Sequence, residues 1–374
     1  MQTTIQRVQL PDNRRILMIS DIHGHAEGLR TILKEAHFGE QDILILIGDY
    51  LEKGPQNLQT LRDVMALCSK FTVYPVMGNV DLWRLECLMS DDPEVQQEMV
   101  RYSRKARTWW SSSVLGELLA ELGLSLDEDL DLASVFPHLR EHFAPELAFL
   151  QSLPIILETQ NMIFVHGGIP HENLDELMDE NPHSLMKRDH FMEEGLSFSK
   201  YVVVGHWPVA LYSQFFSCSN PVINRDRHII SLDGGCGVKE DGQLNLLTLP
   251  DWRSEDFTLY TWNPLPRLTA LDAQPESPSH GYIRWGDHHV DVLEQTGDWS
   301  RIRHHGHELT VPAAFLWTDD HGASCCSDIS DYQLAVSPGD SLSLIHATEQ
   351  GCYVKKGGVS GWYYGRFKQE LPKA

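Results

Sequence analysis

The sequence predicts an α/β fold followed by a smaller all-β region, and three features of the chain carry that prediction. Short apolar or β-branched runs end in Gly, Asn, Asp or His, as buried strands do, at residues 15–20, 42–47, 71–77, 162–165, 201–204 and 228–232. Between the first two runs, Leu29, Ile32, Leu33 and Ala36 recur at helical spacing on one face. Strand and helix therefore alternate in the first part of the chain, whereas short strands and turns follow residue 280.

Composition limits the kinds of function this chain can have. Its 374 residues are 42% apolar, enough for a sizeable core in two or three domains. The formal charge of -23 opposes broad contact with nucleic acid or an anionic membrane. No run approaches the ~20 apolar residues of a membrane helix, and the first residues lack the apolar middle of a secretion signal. Seven cysteines without Cys-x-x-Cys spacing indicate reduced thiols, so we expect a cytoplasmic protein.

The domain organisation follows from changes in pattern along the chain. Residues 85 to about 150 are rich in Leu and Glu at helical spacing, which predicts a helical insertion in an α/β domain spanning 1–270. The Pro, Ser and Gln content of 271–280 is typical of a linker. Within 281–374, two stretches of similar order, each beginning Gly-Asp, form a two-fold internal repeat.

Five of the predicted strands are followed by side chains that can bind a metal. In chain order these are Asp21 and His23, Asp49, Asn79, His166 and His206. Because the crevice at the carboxyl ends of strands is where sites form in open α/β sheets, these side chains can converge. Carboxylates combined with imidazoles suit Mn, Fe or Zn. Two ions that share one carboxylate, ~3.5–4 Å apart, can clamp the attacking and leaving oxygens of a phosphoryl transfer.

Residues 15 to about 250 resemble the calcineurin-like metallophosphoesterases, and more narrowly their phosphoprotein phosphatase branch. The matching motifs are DIHG at 21–24, GDYLEKG at 48–54, GN at 78–79, HGG at 166–168 and GH at 205–206. The resemblance implies a four-layer α/β sandwich, with two mixed sheets flanked by helices, and two divalent metal ions, Mn first, with Fe, Zn or Mg as alternatives. By this resemblance Asp21 and His23 bind the first ion and Asp49 bridges both. The ligands of the second ion are Asn79, His166 and His206.

Several positions depart from the pattern of the family or leave a role open. Lys53 stands where the family has an arginine, which replaces a bidentate phosphate clamp with a point charge. Arg188 matches an arginine with which bacterial members hold phosphate. Pro208 replaces the second histidine of a broader branch, which favours the protein-phosphatase and dinucleoside-tetraphosphatase branch.

The most consequential departure is Val80, which replaces the histidine that protonates the leaving group in the family. Loss of a general acid typically costs about 10² to 10⁴ in rate, most severely for an alkoxide leaving group. We therefore expect either substrates with good leaving groups, such as anhydrides or aryl phosphates, or another proton donor, for which His25 is the nearest candidate. Asp81, without its usual partner, either caps the following helix or pairs with Arg84.

The resulting functional prediction is a metal-dependent phosphatase that cleaves phosphomonoesters by attack of a metal-bound hydroxide. Asn79 and Arg188 steady the phosphoryl oxygens, Asp49 and Asp81 complete the catalytic set, and a phosphorylated protein is the first substrate to consider. One alternative is hydrolysis of dinucleoside tetraphosphates, with Trp207 stacking on a base. An alternative of another class is a module that binds phosphorylated ligands or scaffolds partners with weak or no catalysis.

The C-terminal repeats resemble tandem SH3-like barrels of the bacterial type. SH3 grooves bind peptides on aromatic side chains, and Trp299 and Trp362 are candidates, but we favour core packing over peptide binding for both tryptophans. Several histidines lie in predicted turns of this region without supporting Cys or carboxylate spacing, and we expect them to be exposed to solvent rather than to bind metal. They are His288, His289, His304, His305 and His307.

Overall fold

The structure is a computed structural model that describes residues 2–369 apart from 111, 128 and 280. The remaining positions of the predicted domains and linker (1, 111, 128, 280 and 370–374) lie outside the described residues. The chain divides into two units: the first comprises the residues up to 208 together with 221–263, and the second comprises 209–220 and the residues from 264 onward. In the part of the chain that the structure describes, no helix combines the length and apolar character required to cross a bilayer.

The first unit contains two mixed β-sheets. Its strands are β1 (Ile5–Arg7), β2 (Ile16–Ile19), β3 (Ile43–Ile47), β4 (Thr72–Val76), β5 (Ile156–Glu158), β6 (Met162–Val165), β7 (Tyr201–Val204), β8 (Val222–Asn224), β9 (Ile229–Ser231), β10 (Leu244–Leu249) and β11 (Thr258–Trp262). The five-stranded sheet has the order β11-β10-β2-β3-β4, and the six-stranded sheet has the order β1-β5-β6-β7-β9-β8. Strands β2, β3 and β4 are parallel, as are β6, β7 and β9, so their carboxyl ends point the same way within each sheet.

The helices of the first unit cover the outer faces of the sheets. They are α1 (Ala26–Glu35), α2 (Asn57–Lys70), α3 (Asn79–Met89), α4 (Pro93–Trp110), α5 (Val114–Glu121), α6 (Leu132–His142), α7 (Ala144–Ser152) and α8 (Pro182–Met186), with 3-10 turns at Glu176–Asp179 and Phe191–Glu193. The helical insertion predicted over 85–150 corresponds to α3 through α7. It begins earlier than predicted because α3 starts directly at the end of β4.

Strand alternation explains how the layers pack. Along β3, Ile43, Ile45 and Ile47 lie in a buried cluster with Phe164 of the opposite sheet, whereas Leu44 lies in a second cluster with helical residues. Successive side chains of a strand point to opposite faces, so one apolar run supplies both interfaces. The predicted α/β fold, with two sheets between layers of helix, is confirmed.

The second unit is all β apart from short 3-10 turns at Val209–Tyr212 and Ala313–Phe315. Its strands are β12 (Arg267–Ala270), β13 (Tyr282–Ile283), β14 (Asp291–Thr296), β15 (Trp299–His304), β16 (His307–Pro312), β17 (Leu316–Thr318), β18 (Ser324–Cys326), β19 (Ile329–Ser330), β20 (Ser341–Ala347), β21 (Cys352–Lys356), β22 (Val359–Tyr363) and β23 (Phe367–Gln369). Each predicted repeat forms an antiparallel three-stranded meander, β14-β15-β16 and β20-β21-β22, with a register shift between its first two strands. These small antiparallel sheets are consistent with the predicted SH3-like repeats.

The boundary between the units differs from the sequence-based division at 270. Strand β12 pairs with β20 and β23, so residues from 264 onward already belong to the second unit. The stretch expected to be a linker is also paired, since Gln274 donates its backbone N–H to Val336 O at 2.8 Å. Residues 209–220 join the same unit, where Cys218 forms a β-bridge with Val359. Linker-like composition therefore did not predict these pairings, which are made by backbone groups.

Candidate active site

The six predicted metal ligands come together at the carboxyl ends of five strands of the first unit. Asp21 and His23 follow β2, and Asp49 follows β3; their ligand atoms lie within 4.8 Å of one another. His166, after β6, places Nε2 3.4 Å from Asp49 Oδ1 and 3.9 Å from Asp21 Oδ1. Asn79, at the start of α3, places Oδ1 2.9 Å from that same His166 nitrogen. His206, after β7, places Nδ1 3.0 Å from Asn79 Oδ1.

The backbone at these strand ends is left-handed, which brings the turns close together. The φ angles of Asp21, His23, Asp49 and His206 are 54°, 46°, 53° and 66°. Such conformations cost of order 1–3 kcal/mol each and persist only where surrounding contacts impose them. Here the two turns are joined by hydrogen bonds, from Asp21 N–H to Gly48 O at 3.1 Å and from His23 N–H to Asp49 O at 2.9 Å.

Two of the histidines are oriented by backbone carbonyls. His23 Nδ1 lies 3.0 Å from Leu51 O, and His166 Nδ1 lies 2.7 Å from Ile47 O. A carbonyl accepts only from an N–H, so each contact places a proton on Nδ1 and directs Nε2 at the carboxylates. This is the arrangement in which an outer partner fixes the tautomer of a metal-binding histidine.

The third histidine, His206, is oriented by a carboxylate. Asp189 Oδ1 lies 2.8 Å from His206 Nε2, while Nδ1 of the same ring faces Asn79. Sequence reasoning selected Arg188 and passed over its neighbour, because an exposed Asp between two strands carries no periodic signal. We assign Asp189 a positioning role.

Asp233 is a site carboxylate that the sequence analysis also missed. It follows β9, which runs parallel to β7, so it reaches the same edge as the predicted ligands. Its Oδ1 accepts a hydrogen bond from Gly235 N–H at 2.7 Å, whereas Oδ2 is buried without a hydrogen-bond partner. The sequence did contain a signal, since Asp-Gly-Gly after a strand repeats the pattern of the other strand ends.

The electrostatics of this cluster favour a bound cation. Burial, followed by the nearby Asp233 charge, raises the pKa of Asp21 well above its usual value. Burial raises the pKa of Asp233 to about 6. Burial lowers the pKa of His23 to about 3 and that of His206 to about 4, which keeps both imidazoles in the neutral form that binds metal. Although burial opposes it, the charges of Asp49 and Asp21 raise the pKa of His166 to about 10. Crowded carboxylates that attract positive charge, the neutral imidazoles of His23 and His206 and an unpartnered buried oxygen together fit divalent metal ions.

The three residues expected to contact substrate differ in their present partners and in their exposure to solvent. Lys53 directs Nζ to within 3.3 Å of His23 Nε2, so its charge reaches the cluster. Arg188 instead donates through Nε and Nη2 to both carboxylate oxygens of Glu194, each at 2.6 Å. Trp207 is 6% exposed, with its ring centroid 4.2 Å from that of His190, and therefore offers little surface for a stacked base.

The residues around the missing proton donor have structural contacts. Val80 is 6% exposed and donates its backbone N–H to Asp49 Oδ1 at 2.9 Å. Asp81 accepts backbone hydrogen bonds from Tyr50 at 3.0 Å and from Gly78 at 3.2 Å. Of its two predicted roles, the helix cap is the one observed, and Arg84 pairs with another residue. His25 Nδ1 lies 3.1 Å from Ile22 O, and burial lowers the pKa of this imidazole.

Comparison with known proteins identifies the family of this chain. The calcineurin-like phosphoesterase profile matches residues 14–325. A symmetrical bis(5'-nucleosyl)-tetraphosphatase of Photorhabdus laumondii is 26% identical over 67% of this chain and 98% of its own length. A tetraphosphatase of the same name from Nitrosococcus oceani is 32% identical over 32% of this chain and 47% of its own length. Among solved structures, a protein serine/threonine phosphatase from Saccharomyces cerevisiae is 9% identical, with a TM-score of 0.42 over 71% of this chain and 85% of that one.

This chain belongs to the calcineurin-like phosphoesterase family, and it is a hydrolase acting on phosphoesters. The family is dimetal-dependent, and the Asp21, His23 and Asp49 group is a candidate metal-binding cluster.

Proposed function

We propose that this chain hydrolyses dinucleoside tetraphosphates. The observation that supports this proposal is that the predicted metal ligands lie together beside Val80. The side chain of Val80 is apolar and cannot donate a proton to a leaving group. Curated relatives named symmetrical bis(5'-nucleosyl)-tetraphosphatase support this choice of substrate, including one that this chain covers over 98% of its length. Symmetrical hydrolysis adds one water across the central P–O–P linkage and releases two nucleoside diphosphates.

The proposed metal ligands are Asp21, His23, Asp49, Asn79, His166 and His206, with Mn²⁺ as the first ion to test. Bound divalent ions supply Lewis-acid activation of water and neutralisation of phosphoryl charge. Lys53 places a positive charge beside the cluster for the polyphosphate. Asn79 Oδ1 lies 2.9 Å from His166 Nε2 and 3.0 Å from His206 Nδ1, so the three atoms are close enough to share one ion, and Asp189 Oδ1 contacts His206 Nε2 from the opposite side.

The identity of the leaving group explains why Val80 is compatible with this reaction. A nucleoside diphosphate is a weak base and departs without full protonation, whereas a serine alkoxide requires a proton donor. Phosphate monoesters with aryl leaving groups are a second candidate class by the same argument. Phosphoserine proteins are less suitable substrates by this argument, because their leaving group needs a proton. The alternative of another class is a protein that binds phosphorylated ligands without hydrolysing them.

The deciding experiment compares substrates on the Mn²⁺-loaded full chain. We expect diadenosine tetraphosphate to be hydrolysed to adenosine diphosphate faster than a phosphoserine peptide releases phosphate. Asp49→Asn should lose nearly all turnover while keeping its circular dichroism spectrum, and Asp127→Asn, at an exposed ion pair with Arg107, is the matched control. Faster turnover of the phosphopeptide would restore the protein phosphatase prediction. Metal binding without turnover of either substrate would favour a binding module.

The compartment and the partners of the second unit stay predictions. All seven cysteines are free thiols, which supports a reducing compartment such as the cytosol. Trp362 is 2% exposed and its ring centroid lies 5.5 Å from that of Trp299. This packing supports the core role that the sequence favoured for Trp362 over the alternative of peptide binding.

A further inference from the structure

Histidines of the second unit that the sequence placed in separate turns meet around one carboxylate. Asp287 Oδ1 lies 2.8 Å from His305 Nε2 and 3.2 Å from His304 Nε2. One ligand atom from each of the three residues lies within 4.8 Å of the other two. The expectation that these histidines point separately into solvent is therefore wrong for His304, which is 6% exposed.

The local backbone presents these groups to one another. His304 ends β15, and His305 opens the turn to β16 with φ 46°, followed by Gly306 with φ 82°. Two-residue hairpin turns of this kind favour Asn-Gly, because both central residues need positive φ. A histidine at the first position costs more than Asn or Gly there, so its side chain is the feature that distinguishes this turn.

We propose that Asp287, His304 and His305 form a second metal site, which takes a transition-metal divalent ion such as Zn²⁺. Two imidazoles and one carboxylate prefer such ions to Mg²⁺ or Ca²⁺. In a tetrahedral zinc site with bonds of about 2.0 Å, ligand atoms lie about 3.3 Å apart. The observed 2.8 and 3.2 Å separations are within about 0.5 Å of that value. His304 Nε2 also lies 3.1 Å from Asp287 O, so an ion bound there would displace the proton that this nitrogen now shares with the carbonyl.

The surroundings leave room for further ligands. The three residues line a cleft of about 330 Å³ that His307 also lines. Arg284 shares the cleft, but it donates through Nη1 to Ser213 O at 2.6 Å. His305 keeps 69% of its side chain exposed, so an ion can reach the site from solvent.

The test measures Zn²⁺ binding by the full chain in competition with a chromophoric chelator. His305→Asn removes one imidazole and leaves an Asn-Gly turn, so the fold is retained. His321→Asn is the matched control, because His321 also precedes a glycine in an exposed turn. We expect His305→Asn to bind one Zn²⁺ fewer than the parent, or the same number with at least tenfold weaker affinity at one site, and His321→Asn to match the parent.

Two results would overturn this inference. One is equal Zn²⁺ stoichiometry and affinity in the parent and in His305→Asn. The other is a loss confined to His289→Ala, which would move binding to the neighbouring group of His288, His289 and Cys325. Titration with Co²⁺ gives an independent readout, since imidazole ligation changes the visible absorption of the ion, and phosphoesterase activity takes no part in it.

Discussion

At the scale of a single residue, Arg188, the predicted phosphate-binding arginine, forms an ion pair with a neighbouring carboxylate. Its guanidinium is paired with Glu194, although both side chains are partly open, at 25% and 29% exposure. An ion pair screened by solvent is worth about 0–1 kcal/mol. We predict that the polyphosphate of a substrate displaces this carboxylate from Arg188, so that Glu194 competes for the same cation.

Removing this competitor should strengthen substrate binding. We predict that Glu194→Gln lowers KM for diadenosine tetraphosphate by up to about fivefold, equivalent to ~1 kcal/mol, with kcat nearly unchanged. Glu193→Gln is the control, because Glu193 contacts His190 instead. Steady-state kinetics at constant ionic strength measure both. A higher KM in Glu194→Gln would mean that Glu194 positions Arg188 for substrate.

The leaving-group argument makes a second prediction at this scale. Val80→His should raise kcat/KM on a phosphoserine peptide more than on an aryl phosphate or diadenosine tetraphosphate, because only the alkoxide needs a proton in full. A general acid typically raises the rate by about 10² to 10⁴. We therefore expect the ratio of kcat/KM on the phosphoserine peptide to kcat/KM on the other substrates to rise by about tenfold or more. Val80→Asn controls for introducing a polar group at this buried position. An equal change on all three substrates would contradict the role assigned to Val80.

At the scale of elements, a buried ion pair joins the turn after β3 to helix α3. Arg84 Nε lies 2.6 Å from Glu52 Oε1, and both side chains are fully buried. The guanidinium also lies 4.0 Å from the ring centroid of Trp83 and 3.9 Å from that of Tyr102 on α4. Glu52, which lies in the GDYLEKG motif at 48–54, thus connects this motif to the helical insertion.

Breaking this pair should destabilise the first unit strongly. Arg84→Met leaves the Glu52 carboxyl buried without its partner, and we expect a loss of about 3–5 kcal/mol in the free energy of unfolding. Arg84→Met with Glu52→Leu should lose less, since no charge is then stranded. Urea unfolding followed by circular dichroism measures both variants. A double variant no more stable than the single one would show that the aromatic contacts dominate.

A second ion pair ties β2 to β3 at the edge opposite the candidate site. Arg15 bonds both oxygens of Asp42, at 3.0 and 2.8 Å, just before the two strands begin. Although burial opposes it, the Arg15 hydrogen bonds and Gly39 N–H lower the pKa of Asp42 below its ordinary value. A carboxylate whose pKa is lower in the folded state stabilises the fold above its unfolded pKa of about 4, and loses that contribution as pH falls through the folded value.

We therefore predict a pH-dependent effect of Asp42→Asn. The variant should lose about 1–3 kcal/mol of unfolding free energy at pH 7. This difference should shrink as the pH falls below about 4. Urea titrations at several pH values measure it, and activity per folded molecule should not change. A difference that grows on acidification would contradict the assignment.

At the scale of the whole molecule, the first unit is not a continuous stretch of sequence. Residues 209–220 leave it and pack in the second unit, where Gln214 O accepts a hydrogen bond from Tyr282 N–H at 3.1 Å. A chain that ends after residue 263 contains all eleven strands of the two large sheets. It lacks the residues from 264 onward, with which the 209–220 segment packs.

We predict that such a truncated chain aggregates or loses thermal stability. Replacing 209–220 in the same truncated chain with a Gly/Ser segment of equal length should restore a monomer with phosphoesterase activity. Size-exclusion chromatography and thermal unfolding compare the two. Equal behaviour of both truncated chains would show that 209–220 needs no partner.

The alternating pattern was sufficient to predict the α/β class and the strand ends where Asp21, Asp49 and His166 meet, although these strands belong to two sheets. Parallel strands with their carboxyl ends at one edge deliver whatever residue follows them, so local sequence was enough. Asp189 and Asp233 were missed for different reasons. The first carries no periodic signal, while the second ends a short strand whose place beside β7 is set by sheet pairing.

The sequence by itself determined the family, the polar side chains that follow the strands and the two-fold C-terminal repeat, because each depends on contacts or motifs local in the chain. Only the tertiary structure decided that Arg188 faces Glu194, that Arg84 pairs with Glu52, and that 209–220 belongs with residues beyond 264. It also gathered His304 and His305 around Asp287. These contacts join residues that are not neighbours in the sequence, and they depend on how the elements pack. Periodicity and composition describe only neighbouring residues and therefore do not predict them.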